Sequence, residues 1–131
     1  FIGKADQIIL QPYCEPLASL CYLAGSTRRI KLGTHVLILP YREPVLTAKM
    51  VATLDYMSGG RVILGVGVGW MKEEFEALGA PPFESRGEVS DEYLLAFKEL
   101  WTSATRPLMA STFAFAVAVV LCRRRRPTVP V

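Results

Sequence analysis

The sequence has few of the residues that build disulfide-rich or metal-dependent proteins. Among its 131 residues are three cysteines, Cys14, Cys21 and Cys122, and a single histidine, His35. An odd cysteine count without a Cys-x-x-Cys pair fits neither a disulfide framework nor a structural zinc site, so we predict no metal site. The N-terminus also lacks the pattern of a signal peptide. We therefore expect a reducing, cytoplasmic location.

The last part of the sequence lacks acidic residues altogether. Residues 103–131 carry five arginines and no acid, a charge of +5, whereas residues 1–102 carry 10 basic and 12 acidic residues, a charge of −2. The overall basicity therefore belongs to the tail, and we predict no nucleic-acid partner. The apolar run 110–122 is shorter than the roughly 20 residues of a membrane-spanning helix, which argues against a membrane span. We predict a domain at 1–102 and a compositionally distinct tail at 103–131.

What the sequence does contain is typical of a folded α/β domain. Hydrophobic residues make up 51% and charged residues 21% of the chain, which excludes disorder as a whole. A short repeat, Arg-Ile-Lys-Leu-Gly at 29–33 and Arg-Val-Ile-Leu-Gly at 61–65, recurs after 32 residues. This spacing is that of a strand, a helix and their loops. Both copies continue into apolar runs, at 34–39 and 66–68, which indicates parallel strands covered on both faces.

Helix signals separate and follow the two strand segments. Proline begins the segments 16–24 and 44–58, and Gly59-Gly60 ends the second. A short acidic helix is predicted at 72–78, and a longer one follows Ser85, which has capping-box spacing with Glu88. Ile8-Ile9-Leu10 reads as the end of an earlier strand. The sequence thus predicts about three βα units with parallel strands.

Three features could carry chemistry, and each has two interpretations. The alternating glycines of the segment 65–69 match neither the GxGxxG nor the P-loop pattern, so they indicate either tight packing or close approach of a flat ligand. His35 is either a structural residue or part of a site. Glu73 and Glu74 either stabilise the first turn of a solvated helix or contact a ligand.

Several of these segments, taken in order, resemble the luciferase-like monooxygenase family. They are Arg29 to Pro40, Pro44 to Asp55, Ser58 to Trp70, Glu73 to Gly79, and Arg86-Gly87 with the stretch from Asp91 to Trp101. The resemblance covers residues 5 to about 102. It implies an α/β fold, a partial (β/α)8 TIM barrel, and an oxidoreductase that uses FMN or the deazaflavin F420. The phrase at 65–78 is more similar to the F420-dependent branch.

The resemblance also implies which residues form a cofactor pocket. In this family the strand matching 33–36 often has a bulge with a non-prolyl cis peptide behind the ring, and here the His35-Val36 bond is the candidate. The acid/base histidine of the family usually follows an aspartate, whereas the match here is Asp6-Gln7, so we assign no catalytic residue. The implied cofactor-binding residues are Asp6, Thr34, His35, Val36, Gly67, Gly69, Trp70 and Glu73.

Two functions follow as hypotheses. The first is a portion of a flavin- or F420-dependent oxidoreductase acting on a small organic substrate, inactive by itself because the later, phosphate-binding strands are missing. The second is a non-catalytic half-barrel, which associates with a partner or a membrane surface through open sheet edges and the basic apolar tail. A homo-oligomer is also compatible with the sequence.

Overall fold

The structure is a computed structural model, which describes residues 13–102 and the backbone of two short segments, 108–109 and 114–115. The helices are α1 (Pro16–Ser26), α2 (Pro44–Ser58), α3 (Lys72–Leu78) and α4 (Arg86–Thr102). The strands are β1 (Leu32–Gly33), β2 (Leu37–Ile38), β3 (Val62–Ile63), β4 (Val66–Gly67), β5 (Leu108–Met109) and β6 (Ala114–Phe115). Short 3-10 turns lie at Leu39–Tyr41 and Phe83–Ser85.

The first two helices begin in the same way. In each, a glutamate precedes a proline, and the glutamate carboxylate accepts hydrogen bonds from backbone amides of the first turn. Proline suits this position because the first amides of a helix have no partner within the helix. Helix α2 ends at Gly59, whose φ of +75° suits glycine. The predicted helices are confirmed, and α1 extends to Ser26, two residues beyond the predicted end.

The last two helices also follow the predicted pattern, with a different start for α4. Helix α3 has the predicted bounds and ends at Gly79. Ser85, predicted as part of a capping box, lies instead in a 3-10 turn, and its hydroxyl donates to the carbonyl of Pro82 at 2.9 Å. Near the other end of α4, the Trp101 indole donates to the carbonyl of Ala48 at 3.0 Å. This contact ties α4 to α2.

The two repeat segments are neighbouring parallel strands, as the spacing predicts. Leu32 pairs with Val62 in one ladder, and Leu37 pairs with Val66 in the next. The prediction of continuous strands was wrong, because each segment is divided into two short strands. Leu39, predicted as the end of a strand, lies in a 3-10 turn.

The division of the strands has a simple cause in the register. Gly33 pairs with Ile63 and Leu37 with Val66, so four steps along the first segment match three along the second. One extra residue in the first segment forms a bulge at 34–36, as the resemblance implied.

The core lies on one side of these strands. Helix α2 packs against both α1 and α4, and the strands contribute Leu32, Leu37 and neighbouring Leu39 to the interior. The other buried apolar residues are Leu17, Leu20, Ala48, Val51, Leu54, Phe75, Val89, Tyr93, Ala96 and Phe97. On the opposite face Ile63 is 57% exposed and Val36 46% exposed. The expectation of cover on both faces is therefore wrong for the residues that the structure describes.

Beyond α4, strands β5 and β6 pair antiparallel with each other. The boundary at residue 102 and the separate character of the tail stay predictions. The early strand at 8–10, Asp6 and Arg123 to Arg126 lie outside the described residues. Across the part of the chain that the structure describes, none of the helices has the length and apolar character that crossing a membrane requires.

Candidate functional site

The bulge between β1 and β2 is held by a threonine side chain. The Thr34 hydroxyl donates to the carbonyl oxygen of Gly65 at 2.7 Å and accepts from the Gly65 amide at 3.0 Å. Ladder bonds continue on either side, from the Thr34 amide to the Ile63 carbonyl and from the Leu37 amide to the Gly65 carbonyl. A buried hydroxyl thus replaces the backbone pairing that the extra residue interrupts.

The two residues after Thr34 form the surface of the bulge. The peptide bond between His35 and Val36 is cis, as the resemblance implied. Both residues are exposed on the sheet face that the helices leave open. Their amide groups take no part in the hydrogen bonds found between backbone groups of the described loops and turns. The bulge therefore exposes an apolar side chain, that of Val36, and the imidazole of His35.

The glycines of the second segment explain how β4 passes so close to the bulge. A Cβ atom at Gly65 would overlap the carbonyl oxygen of Thr34, and one at Gly67 would lie 2.6 Å from Cγ2 of Val36. At Gly65 only a residue without a side chain fits, whereas at Gly67 a side chain would require Val36 to move. Of the two interpretations of the alternating glycines, tight packing accounts for these two positions.

Gly69 and Trp70 extend from the carboxyl end of β4. Gly69 has φ of +82°, and a Cβ there would lie 2.8 Å from the Phe75 ring and 3.2 Å from Cγ2 of Ile38. The next residue, Trp70, is 75% exposed. Gly67 therefore lies beside the bulge, whereas Gly69 and Trp70 lie beyond the carboxyl ends of β2 and β4, the end of a parallel sheet where α/β folds bind ligands.

The two glutamates of α3 have different surroundings. Glu73 is exposed in the first turn of the helix that follows Trp70. Glu74 accepts a hydrogen bond from the Tyr41 hydroxyl at 2.5 Å. Burial raises the pKa of Tyr41 well above its usual value, and the bond to Glu74 adds to the effect. Asp6, the remaining predicted residue, lies outside the described part of the chain.

Sequence reasoning missed an arginine that contacts this end of the sheet. The Arg86 guanidinium donates from Nε to the Gly69 carbonyl at 3.2 Å and from Nη1 to the Phe83 carbonyl at 2.9 Å. The one available signal was its place at the first position of a helix, where a cation opposes the helix dipole. A cation at that position needs partners outside its own helix.

Exposed apolar side chains, rather than a cluster of metal-binding groups, are found among the described residues near the sheet. Within residues 13–102 no group of three or more His, Cys, Asp or Glu side chains could hold a metal. Val36 in the bulge and Trp70 after β4 instead expose large apolar side chains.

Comparisons with known proteins identify similar chains. Limonene 1,2-monooxygenase of Rhodococcus erythropolis is 40% identical over 93 residues, which is 71% of this chain and 24% of that protein. FMNH2-dependent dimethylsulfone monooxygenase of Pseudomonas putida is 39% identical over 82 residues, 61% of this chain and 22% of that protein. The chain therefore spans about a quarter of the length of these relatives.

A solved structure and a family profile agree with these relatives. The monooxygenase RslO1 of Streptomyces bottropensis superposes with a TM-score of 0.72 at 27% identity, over 77% of this chain and 30% of that one. The described strands and helices are part of the TIM barrel of such monooxygenases. A profile described as luciferase-like monooxygenase matches residues 5–131. The chain belongs to the luciferase-like monooxygenase family.

Proposed function

We propose that this chain forms the ring-binding part of a flavin-dependent oxidoreductase barrel. The observation that carries the proposal is the exposed bulge at His35-Val36, next to the close-packed glycines of β4, on the sheet face opposite the helices. FMN is the favoured cofactor because a relative is named for its use of FMNH2. F420 is the second candidate, since its tricyclic ring would use the same surface.

Each residue of the proposed site has a separate role. Thr34 fixes the bulge through its two bonds to Gly65, so that the amides of His35 and Val36 face the polar edge of the ring. Gly67 keeps β4 close to the bulge, and Gly69 orients Trp70 beside the ring. We assign contacts with the polar part of the cofactor to Glu73 and Asp6.

When bound, the cofactor supplies hydride transfer or oxygen activation, and the protein supplies binding and orientation. The apolar surface formed by Val36 and Trp70 excludes water from one side of the ring. The substrate is a small organic molecule, and we place the enzyme in the cytoplasm. Because the chain spans about a quarter of its relatives, we expect no turnover by this chain alone.

Titration of the purified chain with FMN and with F420 tests the proposal. We expect a saturable change in cofactor absorbance and fluorescence with FMN. Saturation with F420 alone would assign the site to the deazaflavin instead. No saturable change with either cofactor would reject cofactor binding by this chain.

A matched pair of variants tests the location of the ring. Val36→Glu places a carboxylate on the proposed ring surface. We expect this variant to bind FMN at least about tenfold more weakly than the original chain, because the charge must be desolvated on binding. Leu46→Glu makes the same change at an exposed apolar residue of α2, 59% exposed, on the helical side. Equal FMN affinity of the two variants would contradict the proposed location.

The exposed sheet face also supports the second hypothesis, a non-catalytic half-barrel. Ile63 and Val36 present apolar surface that soluble domains usually cover, and a second copy of the chain could cover it. Light scattering at increasing protein concentration would reveal such a dimer, and Ile63→Glu should return it to a monomer. Flotation with lipid vesicles, with Arg123 to Arg126 replaced by serine as the control, tests membrane association.

A further inference from the structure

Arg86 connects the loop that follows β4 with the turn that precedes its own helix. Its guanidinium donates to the carbonyls of Gly69 and Phe83 and lies 4.0 Å from the centre of the Phe83 ring. The segment containing Gly69 follows β4, whereas Phe83 belongs to the turn that precedes α4. A single side chain therefore holds the end of β4 against the start of α4.

An aromatic cluster packs against Gly69, in the loop that follows β4. The buried ring of Phe75 packs edge-on between Tyr41 and Phe83, with ring centres 4.9 Å and 5.2 Å away. Its edge also fills the space next to Gly69, where no side chain could fit. Gly69 is thus limited by Phe75 on one side, and its carbonyl is held by Arg86.

Gly69 requires such external support because glycine has little conformational preference of its own. At φ of +82° the residue could reach several other backbone conformations at small energetic cost. Each of these would turn the following peptide and redirect Trp70. The exposed indole has no hydrogen bond to a described residue that would fix it. The hydrogen bond from Arg86 is the charged contact that selects one orientation.

We propose that Arg86 is a positioning residue, which fixes the Gly69 carbonyl and thereby sets the direction of Trp70 beside the cofactor ring. The part that concerns the ring rests on the proposed function. The part that concerns Trp70 stands without a cofactor. The two parts therefore need separate measurements.

The first measurement is ¹⁹F NMR of the chain labelled with 5-fluorotryptophan, which gives one signal each for Trp70 and Trp101. We expect Arg86→Met to shift or broaden the Trp70 signal and leave that of Trp101, on the same helix as Arg86, unchanged. Arg29→Met is the matched control, because Arg29 is exposed and precedes β1, at the opposite end of the sheet from Gly69. It should change neither signal.

Two results would overturn the positioning role. In one, the Trp70 signal of Arg86→Met is the same as in the original chain; in the other, both signals move together, which indicates a general structural change. If Arg86→Met does not fold, Arg86→Lys takes its place with the same criteria. Lysine keeps the charge but cannot donate to Gly69 and Phe83 from one planar group.

The second measurement is the affinity for FMN. We expect Arg86→Met to weaken binding about fivefold, the effect of losing one hydrogen bond, and Arg29→Met to leave it unchanged. Unchanged affinity in Arg86→Met would overturn the link to the ring. If the original chain binds no FMN, the proposed function fails, while the fluorine signals still decide whether Arg86 orients Trp70.

Discussion

The two copies of the repeat differ in structure far more than in sequence. Arg29 begins the first copy and is exposed, whereas Arg61 begins the second and is only 9% exposed. The Arg61 guanidinium donates to the carbonyls of Ala24, Thr27, Ile30 and Ser58 and to the hydroxyl of Thr27. The same residue type at the same repeat position is therefore a surface residue in one unit and a central connection in the other.

The difference arises from where the helices end. Carbonyl groups in the last turn of a helix have no partner within the helix. Arg61 follows the end of α2 and lies beside the end of α1. Its guanidinium group therefore donates hydrogen bonds to carbonyl groups in the last turns of both helices. A repeat thus indicates where a strand begins, but the neighbouring unit decides what its first residue contacts.

The glycines that end the two copies differ as well. A Cβ at Gly33 would make ordinary contacts with Ile63, at 3.6 Å and 3.9 Å, whereas a Cβ at Gly65 would overlap the Thr34 carbonyl. The bulge of the first copy is the cause, since it pushes its backbone toward the second. The first three of the following predictions compare the copies, and the fourth concerns the helix that precedes the first copy.

The largest effect should come from the arginines. Arg61→Met removes five hydrogen bonds and leaves buried and partly buried carbonyls without this partner, so we expect the unfolding free energy to fall by about 3 kcal/mol or more. Arg29→Met should change it by no more than about 0.5 kcal/mol, as for other surface positions. Urea unfolding followed by circular dichroism measures both. Equal losses would show that the copies are equivalent.

The glycines should show the next largest difference. Gly65→Ala forces the bulge to move, and we expect a loss of about 2–3 kcal/mol, whereas Gly33→Ala should cost less than about 1 kcal/mol. The same unfolding measurement applies. A loss at Gly33 as large as at Gly65 would contradict the close approach of the two backbones.

A smaller effect is expected at Thr34, which corresponds to Val66 in the second copy. Thr34→Val gives the first copy the residue of the second and removes both hydrogen bonds to Gly65. We expect a loss of about 1–2 kcal/mol. Thr34→Ser keeps the hydroxyl and serves as the control. Equal unfolding free energies of Thr34→Val and Thr34→Ser would show that the hydroxyl does not stabilise the bulge.

The smallest effect concerns Glu15, the glutamate that caps α1. Hydrogen bonds from the first-turn amides and the nearby Arg42 lower the pKa of Glu15, against an opposing effect of burial. Because the pKa of Glu15 is lower in the folded chain than its unfolded value of 4.5, the ionised carboxylate stabilises the fold fully above pH 4.5. This stabilisation is lost as the pH falls through the pKa of the folded chain. Because Glu15 is exposed to solvent, we expect Glu15→Gln to lower the unfolding free energy by only about 0.5 kcal/mol.

That difference should shrink as the pH falls below 4.5 and the carboxyl becomes protonated in the unfolded and then in the folded state. Unfolding curves of the original chain and of Glu15→Gln at neutral and acidic pH provide the check. A constant difference across this range would mean that the charge of Glu15 does not stabilise α1.

Much of the fold could be predicted because its signals are local. The helix starts at Pro16 and Pro44 and the ends at Gly59 and Gly79 follow from residues whose backbone preferences need no partner. The interruption of both strands could not be read from residue periodicity, since a run of apolar β-branched residues reads the same with or without a bulge. Only the family resemblance pointed to the bulge and its cis bond.

The candidate site was predictable in part for the same reason. The resemblance located the surface at His35, Val36 and Trp70, but it gave no role to Arg86. Seventeen residues separate Arg86 from the Gly69 carbonyl that it contacts. Contacts over such distances depend on how α3 and α4 fold back, which local patterns do not determine.

The sequence by itself determined the parallel βα units, because hydrophobic spacing, proline and glycine act on the backbone within one or two turns. The tertiary structure decided which repeat arginine is buried, which glycines are indispensable and which face of the sheet is open. These depend on atoms brought together from distant parts of the chain, where a single methyl group either fits or overlaps a neighbouring carbonyl.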